Sequence, residues 1–296
     1  MSRLSAALCL VLAMSFTGAN VPIGKVVVTE VPVLAFLALR FAVASLALAL
    51  LVRREPGPTI ASFDAADWRD AVWMSLVGSV LFTFFMLEGA KRTAAADAGL
   101  IAATIPAAVT IIGAIIRRRW PRPRELATVL LACSGLAVMQ VGVTGGSSSA
   151  VGNALVVAAV LCEASFVLVS QRISARIKPI RLSLVVAALS LLFVLPFAAP
   201  SIFATDWTAV SPSIWALAVW YALSASVFCT IFWYTGAGHV EPWVAGLATA
   251  ALPITAVAVA ALALGEPLDA PRLAGGAMVV AAIVIAALSQ RRSAAG

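Results

Sequence analysis

Side chains able to do chemistry are scarce in this chain, so their positions carry the argument. There is one histidine, His239, with four cysteines and 13 acidic residues among 296. Two ionisable groups fall deep inside long apolar runs: Arg40, in Leu39-Arg40-Phe41, and Glu163. Charges at such positions are costly and commonly functional. Arg40 suits a structural tie to Glu163 or to carbonyls; both residues also suit substrate or proton handling. Glu88 lies one helical turn from Lys91 and Arg92, the spacing of an ion pair; its other use is to hold a substrate ammonium. Thr17 and Asn20 stand beside Gly18, Pro22 and Gly24. Locally broken backbone there must line a pathway or lie inside protein. Phe82, Phe85, Phe228, Phe232, Trp233 and Tyr234 supply aromatic surface for packing or for a cavity wall. Small faces run through Gly99, Ala102, Ala103, Pro106 and Thr110, and through Gly246, Thr249, Ala250 and Pro253.

Several chemistries lack their parts. There is no HExxH, no serine–histidine pair at depth, no pair of mid-run aspartates and no nucleotide loop. Metalloprotease and serine-protease sites are therefore excluded, and no cofactor or metal is expected. Cys9, Cys133, Cys162 and Cys229 lie in apolar runs without ligand spacing and read as small buried hydrophobes. His239 falls in a short loop and reads as solvated.

The elements that must position these residues follow from composition. Hydrophobic residues make up 62% and charged residues 11%, against about 25% charged in soluble domains. Too few polar side chains exist to cover a water-facing surface. Ten spans of about 20 residues would use roughly 200 residues and leave only short loops. The spans read as 4–26, 31–52, 70–91, 94–117, 125–143, 150–171, 182–200, 213–235, 241–264 and 271–290. The first run imitates a secretory signal, but the next run opens at Val31, so it reads as a membrane helix. The chain carries a net +7. Of its 20 Lys and Arg, 15 fall on the side of the N-terminus: Arg3, Arg53, Arg54, Arg69, the group Arg117 to Arg124, the group Arg172 to Arg181, Arg291 and Arg292. Lys25, Lys91, Arg92 and Arg272 fall on the other side. That bias places both termini in the cytoplasm of an inner membrane, makes the bilayer the partner of the basic side, and leaves nucleic acid out. Trp68, Trp120, Trp207 and Trp243 lie near span ends, as an interfacial belt would place them.

An internal repeat refines the plan. Residues 84–106 align with 231–253 without a gap, at an offset of 147, with Phe85/Phe232, Gly89/Gly236, Gly99/Gly246 and Pro106/Pro253 among the identities. Five spans fall in 1–146 and five in 147–296. Five is odd, so the halves enter the membrane with opposite polarity, as in inverted-repeat transporters with broken helices at the site. Pro106 and Pro253 are the matched interruptions. Each removes a helical hydrogen bond and would free the carbonyl of Ala102 or Thr249.

These features resemble the EamA family of the drug/metabolite transporter superfamily. The Pro106 and Pro253 spans look like its fourth and ninth helices, Leu264-Gly265-Glu266 like its hallmark ending, Arg40 like the arginine of its second helix, and Phe16 to Lys25 like its first-helix pattern. One departure is plain: the position equivalent to Glu266 is Arg119. The resemblance implies an all-α integral membrane fold, two five-helix inverted repeats around a central cavity, and export of small metabolites. Within the family the chain looks most like YddG-like exporters of amino acids, aromatic ones included. The function expected is a secondary transporter for small neutral or zwitterionic solutes, working by alternating access, with proton or ion coupling open. Export of a nucleobase, nucleoside or drug-like cation, and lipid flipping, are the alternatives; a channel or an intramembrane enzyme fits least. The pathway residues expected are Thr17, Asn20, Phe82, Phe85, Glu88, Gly99, Ala103, Pro106, Glu163, Phe228, Phe232, Trp233, Gly246, Thr249 and Pro253.

Overall fold

The structure is a computed structural model that describes residues 1–56, 60–143, 147, 149–264 and 269–292. Among the described residues there is no strand. In chain order the helices are α1 (Arg3–Val27), α2 (Val33–Val52), α3 (Ala65–Ser75), α4 (Phe82–Arg92), α5 (Ala95–Ala102), α6 (Ile105–Arg117) and α7 (Pro123–Val138). They continue as α8 (Ala150–Ser174), α9 (Pro179–Ala204), α10 (Pro212–Leu223), α11 (Cys229–Ala237), α12 (Pro242–Ala248), α13 (Ala251–Leu264) and α14 (Ala270–Arg292). A π-helical turn, Leu76–Leu81, joins α3 to α4, and another, Ser224–Phe228, joins α10 to α11.

The starts of these helices are written locally. Ser2 caps α1, Asp64 and Asp67 form a reciprocal capping box on α3, and Ser149 caps α8. Proline opens α7, α9, α10 and α12, where the missing N–H costs nothing. Within a bilayer the helix is the form that satisfies every backbone group internally. Nine stretches of the described residues are long and apolar enough to cross a membrane. The expected span 125–143 is cut short: α7 has 16 residues and gives way to turns before Gly142, whose φ of +83° is left-handed. Side chains such as Ile116, Phe197 and Phe203 point outward, as lipid-facing residues should.

Two further expectations change. α1 runs unbroken through Pro22, so Gly18 and Gly24 mark close approaches rather than a broken backbone. A Cβ on Gly18 would lie 2.0 Å from Thr255 Oγ1 and 2.1 Å from the Leu252 carbonyl oxygen, so glycine is what lets α13 sit against α1. Trp243 is buried and donates to Glu241 Oε2 at 3.0 Å, so it belongs to the interior rather than to an interfacial belt.

Element boundaries recur at the offset of 147. Arg3 and Ala150, Ala65 and Pro212, Ala95 and Pro242, and Pro123 and Ala270 each begin a helix. The two π turns stand in matching places, and both spans that carry the matched prolines are broken, between α5 and α6 and between α12 and α13. The prolines lie just beyond the breaks, in the first turns of α6 and α13. The Thr249 carbonyl is not freed as expected: it accepts from the Leu252 N–H at 3.2 Å. Packing runs across the halves. α1 lies on α11 and α13, α8 on α4 and α6, α2 on α9, and α7 on α14.

Candidate functional site

The polar interior is organised by the π turn Ser224–Phe228. A π turn carries one extra residue per turn and is frequent at functional sites. Here each of three residues at or beside it meets a different helical position. Ser224 Oγ accepts from Asn20 Nδ2 at 2.8 Å and lies 3.1 Å from Asn20 Oδ1, while its own O–H also reaches the Trp220 carbonyl at 2.6 Å. Asn20 Nδ2 also donates to the Phe16 carbonyl at 2.7 Å, so this buried amide is well satisfied. Ser226 Oγ accepts from Arg40 Nε at 2.6 Å. Cys229 Sγ lies 3.0 Å from Thr17 Oγ1. The expected tie of Arg40 to Glu163 or to a carbonyl is replaced by this serine, with the guanidinium 5.0 Å over the Phe41 ring and 5.3 Å over the Tyr221 ring. Glu163, on α8, is half-buried, and the Cys229 thiol is within electrostatic reach of both Glu163 and Arg40.

An aromatic surface adjoins the cluster. Phe16 stacks on Phe232, with ring centres 6.1 Å apart and planes 8° from parallel, and Phe228 meets Phe16 at the same distance. Trp233 lies elsewhere. It is 1% exposed, stacks on Phe166 and donates to Ser170 Oγ at 2.9 Å, all features of packing. Phe82 and Phe85 are half-buried on α4, and Phe85 pairs with Phe84.

The two broken spans treat the two ends of the molecule differently. At the arginine-rich end α6 packs on α12, and all seven residues of α12 are buried. Glycine makes the approach on both sides. A Cβ on Gly246 would fall 2.8 Å from Val109 Cβ, and one on Gly113 would fall 2.7 Å from Pro242 Cβ. Polar ties reinforce the seal. Arg119 pairs with Glu241 at 3.0 Å. Buried Gln171 donates to the Val240 carbonyl at 2.9 Å and accepts from Arg117 at 3.3 Å. At the other end α5 and α13 have no extended contact among the described residues, and residues 252–259 of α13 are all part-exposed. Gly99, the repeat partner of Gly246, rests against Gln140 in its own half. The polar cluster is thus sealed from one end, while the opposite halves of the same spans stay apart.

Of the expected pathway residues, the structure brings Thr17, Asn20, Phe228 and Phe232 together, with Glu163 within electrostatic reach. Ala103 and Pro106 are buried at the first break. Thr249, at the second, donates to the Gly246 carbonyl at 2.6 Å, and Pro253 is half-buried beyond it. Glu88 is engaged by Lys91 at 3.0 Å and by Arg92, so it is an ion-paired helix end apart from the cluster. Gly265 and Glu266 lie outside the described residues. Ser224, Ser226, Cys229 and Gln171 were not anticipated from sequence; Ser224-Ala-Ser226 in an otherwise apolar run was the available signal. His239 is exposed at the arginine-rich end. Buried Asp70 also lies there, and binds Arg172 at 2.9 Å. Among the described residues no cluster of metal-binding side chains occurs.

An all-helical membrane protein with broken spans, a polar cluster at mid-depth and a seal at one end has the build of a transporter. The chain belongs to the EamA-like transporter family, whose profile matches residues 4–141 and again 150–288. It is 29% identical over 300 residues to the uncharacterized transporter YetK of Bacillus subtilis, an alignment covering 98% of this chain and 89% of that protein. A solved crystal structure matches the fold with a TM-score of 0.75 at 22% identity, over 97% of this chain and 98% of the other.

Proposed function

We propose that this transporter exports small neutral or zwitterionic metabolites, foremost amino acids with aromatic side chains among them, by alternating access across a bacterial inner membrane. Residues 1–146 and 147–296 form the two repeats, inverted relative to one another, and both termini are cytoplasmic. The observation that carries the reading is the unequal treatment of the two broken spans: α6 and α12 in close contact, α5 and α13 apart. In an inverted repeat these are equivalent surfaces, so opening one pair and closing the other exchanges access between the two sides. On this orientation the arginine-rich end faces the cytoplasm, and the arrangement described is open outward.

The pathway suits a weakly charged solute. Arg40 bonds to the cluster through Ser226, Glu163 is the other charge near mid-span, and phosphate esters would call for more cations. The wall of Phe16, Phe228 and Phe232 offers an apolar side chain a face to stack on. With no nucleotide-binding motif in the sequence, transport draws on gradients. Counterflow in proteoliposomes loaded with unlabelled solute is the test. Labelled phenylalanine, leucine, uracil and glucose should separate, with saturable uptake of the amino acids. Absence of saturable amino-acid flux would refute the substrate class. Repeating the assay with Glu163→Gln, with and without a pH gradient, decides proton coupling at that acid: unchanged flux removes Glu163 as a carrier.

A further inference from the structure

The loop between α6 and α7 puts cations where local backbone chemistry argues against them. Arg118 ends α6 in a left-handed conformation, φ 51° and ψ 34°. Among the described residues it alone, glycine aside, has a positive φ. Glycine takes such a helix end without strain. Arg122 stands at the N-cap of α7 and Arg124 in its first turn, where the helix dipole favours anions and the cap favours a short acceptor side chain. The other half shows what those rules prefer. At the offset of 147 the counterparts of Arg118, Arg122 and Arg124 are Gly265, Asp269 and Pro271, and Asp269 caps α14 by accepting from the Arg272 N–H at 2.9 Å. A bias of basic residues to one side of the membrane is met by arginine anywhere near a span end; it does not call for arginine at these three backbone positions. Neighbouring protein does not call for it either. All three are exposed, and among the described residues no ion pair takes them. The two carboxylates at the loop are engaged otherwise, Glu241 with Arg119 and Trp243, and Glu125 with the Arg122 backbone N–H. Local rules broken together, with no gain inside the protein, point to a use outside it.

We propose that the α6–α7 loop is a docking site for an anionic phospholipid, with Arg118, Arg122 and Arg124 receiving its headgroup phosphate and its acyl chains lying along the exposed sides of α6 and α7. The setting names the partner. Trp120, 72% exposed, stands among these cations, and exposed tryptophan belongs at the headgroup level of a bilayer. Below the loop Ile111, Ile115 and Ile116 of α6 and Leu126 and Leu130 of α7 are exposed, and the two helices pack on each other. The cations therefore lead onto apolar side chains that face lipid, which is the order of charge and hydrocarbon along a phospholipid. A soluble acidic partner would use the cations and leave the isoleucines and leucines without purpose. The planar fork of arginine matches phosphate oxygens. Arg117 and Arg119 of the same loop are engaged at the seal by Gln171 and Glu241, which leaves these three for the lipid. The docking is independent of the transported solute.

The test is a competition titration on the full chain in neutral detergent, with bound phosphatidylglycerol counted against phosphatidylcholine of the same acyl chains by native mass spectrometry. An arginine near an anionic headgroup contributes about fivefold. The preference for phosphatidylglycerol should therefore fall by on the order of a hundredfold in the triple variant Arg118→Gln, Arg122→Gln, Arg124→Gln. A control variant, Arg3→Gln, Arg53→Gln, Arg54→Gln, removes the same charge from the same end and should cost less than about fivefold. Arg118→Gly separates the lipid from the backbone. It should raise the Tm of the delipidated chain, because glycine relieves the left-handed position, while lowering the lipid preference by about fivefold. Arg118→Lys should keep most of the preference. Equal losses in the two triple variants would assign the preference to diffuse charge and overturn the site. Displacement of phosphatidylglycerol by an equal concentration of inorganic phosphate would make it a site for a soluble anion, and overturn the lipid. A lower Tm for Arg118→Gly would give Arg118 a structural role and equally refute the proposal, as would a wild type that holds both lipids alike.

Discussion

Replacing Gln171 by leucine should loosen the seal at the arginine-rich end without dismantling the fold. Gln171 is 3% exposed and holds both sides of the closure: its amide donates to the Val240 carbonyl at 2.9 Å and its carbonyl accepts from Arg117 at 3.3 Å. Leucine keeps much of the volume and removes both bonds. Val240 is buried, so its carbonyl loses its partner while the seal is closed and recovers one, from water, when the seal opens. The penalty for a stranded buried group is about 1–3 kcal/mol. Because that penalty falls on the closed form alone, the equilibrium shifts toward opening by about 5- to 150-fold. Amide hydrogen exchange on the detergent-solubilised chain reads this directly. Exchange along 242–248 and at the end of α6 should rise by that factor, while α2 and α9, which pack on each other, stay protected. A uniform rise across all helices, or a lowered Tm with unchanged exchange in 242–248, would show that Gln171 supports the fold and not the seal.

The same interface can be tested sterically. Gly246→Ala sets a methyl 2.8 Å from Val109 Cβ, so α12 must back away from α6; counterflow should fall several-fold, roughly the effect of 1–2 kcal/mol of overpacking, with exchange in 242–248 raised. Gly18→Ala is the harsher change, since the new carbon meets the Leu252 carbonyl oxygen at 2.1 Å and backbone cannot rotate aside; the expected result is a loss of Tm larger than for Gly246→Ala. Trp233→Phe keeps the stack on Phe166 and deletes the donor to Ser170, so about 1 kcal/mol of stability should go, with the order of solutes in counterflow unchanged, because Trp233 lies outside the proposed substrate wall.

Much of this architecture is legible from sequence because a bilayer imposes strong rules. Lipid permits few charges, so the rare ones stand out; Arg40 and Glu163 were visible for that reason. The offset of 147 points to both broken spans from sequence alone, because proline leaves the same mark in each half. What sequence does not give is register. A π turn inserts a residue without altering apolar content, so the side chains that Ser224, Ser226 and Cys229 would meet could not be placed from helical periodicity. Trp233 and Phe232 are neighbours, and composition offers no way to assign one to packing and the other to a wall; their contacts separate them. Pro22 failed in the opposite direction. Proline argues for a break, yet α1 continues through it, as membrane helices can when neighbouring protein satisfies the released groups.

The residues that make the seal bear on which form of the transporter rests. Under the inverted-repeat reading, each has a counterpart 147 positions away that would face its equivalent at the other end. Ala94 stands opposite Glu241 and Gly24 opposite Gln171. With Ala94 in place of Glu241 and Gly24 in place of Gln171, neither the Arg119–Glu241 pair nor the Gln171 bridge is repeated in kind. Under the same reading, closure at the far end would bring α5 toward α13 without those two ties. Exposed ion pairs are worth about 0–1 kcal/mol each, but the Gln171 bridge is buried and counts for more. Small terms on one side of a near-symmetric equilibrium are enough to set its resting position. Under the alternating-access proposal these ties weigh toward the form sealed at the arginine-rich end, and a ligand that draws α5 toward α13 would work against them.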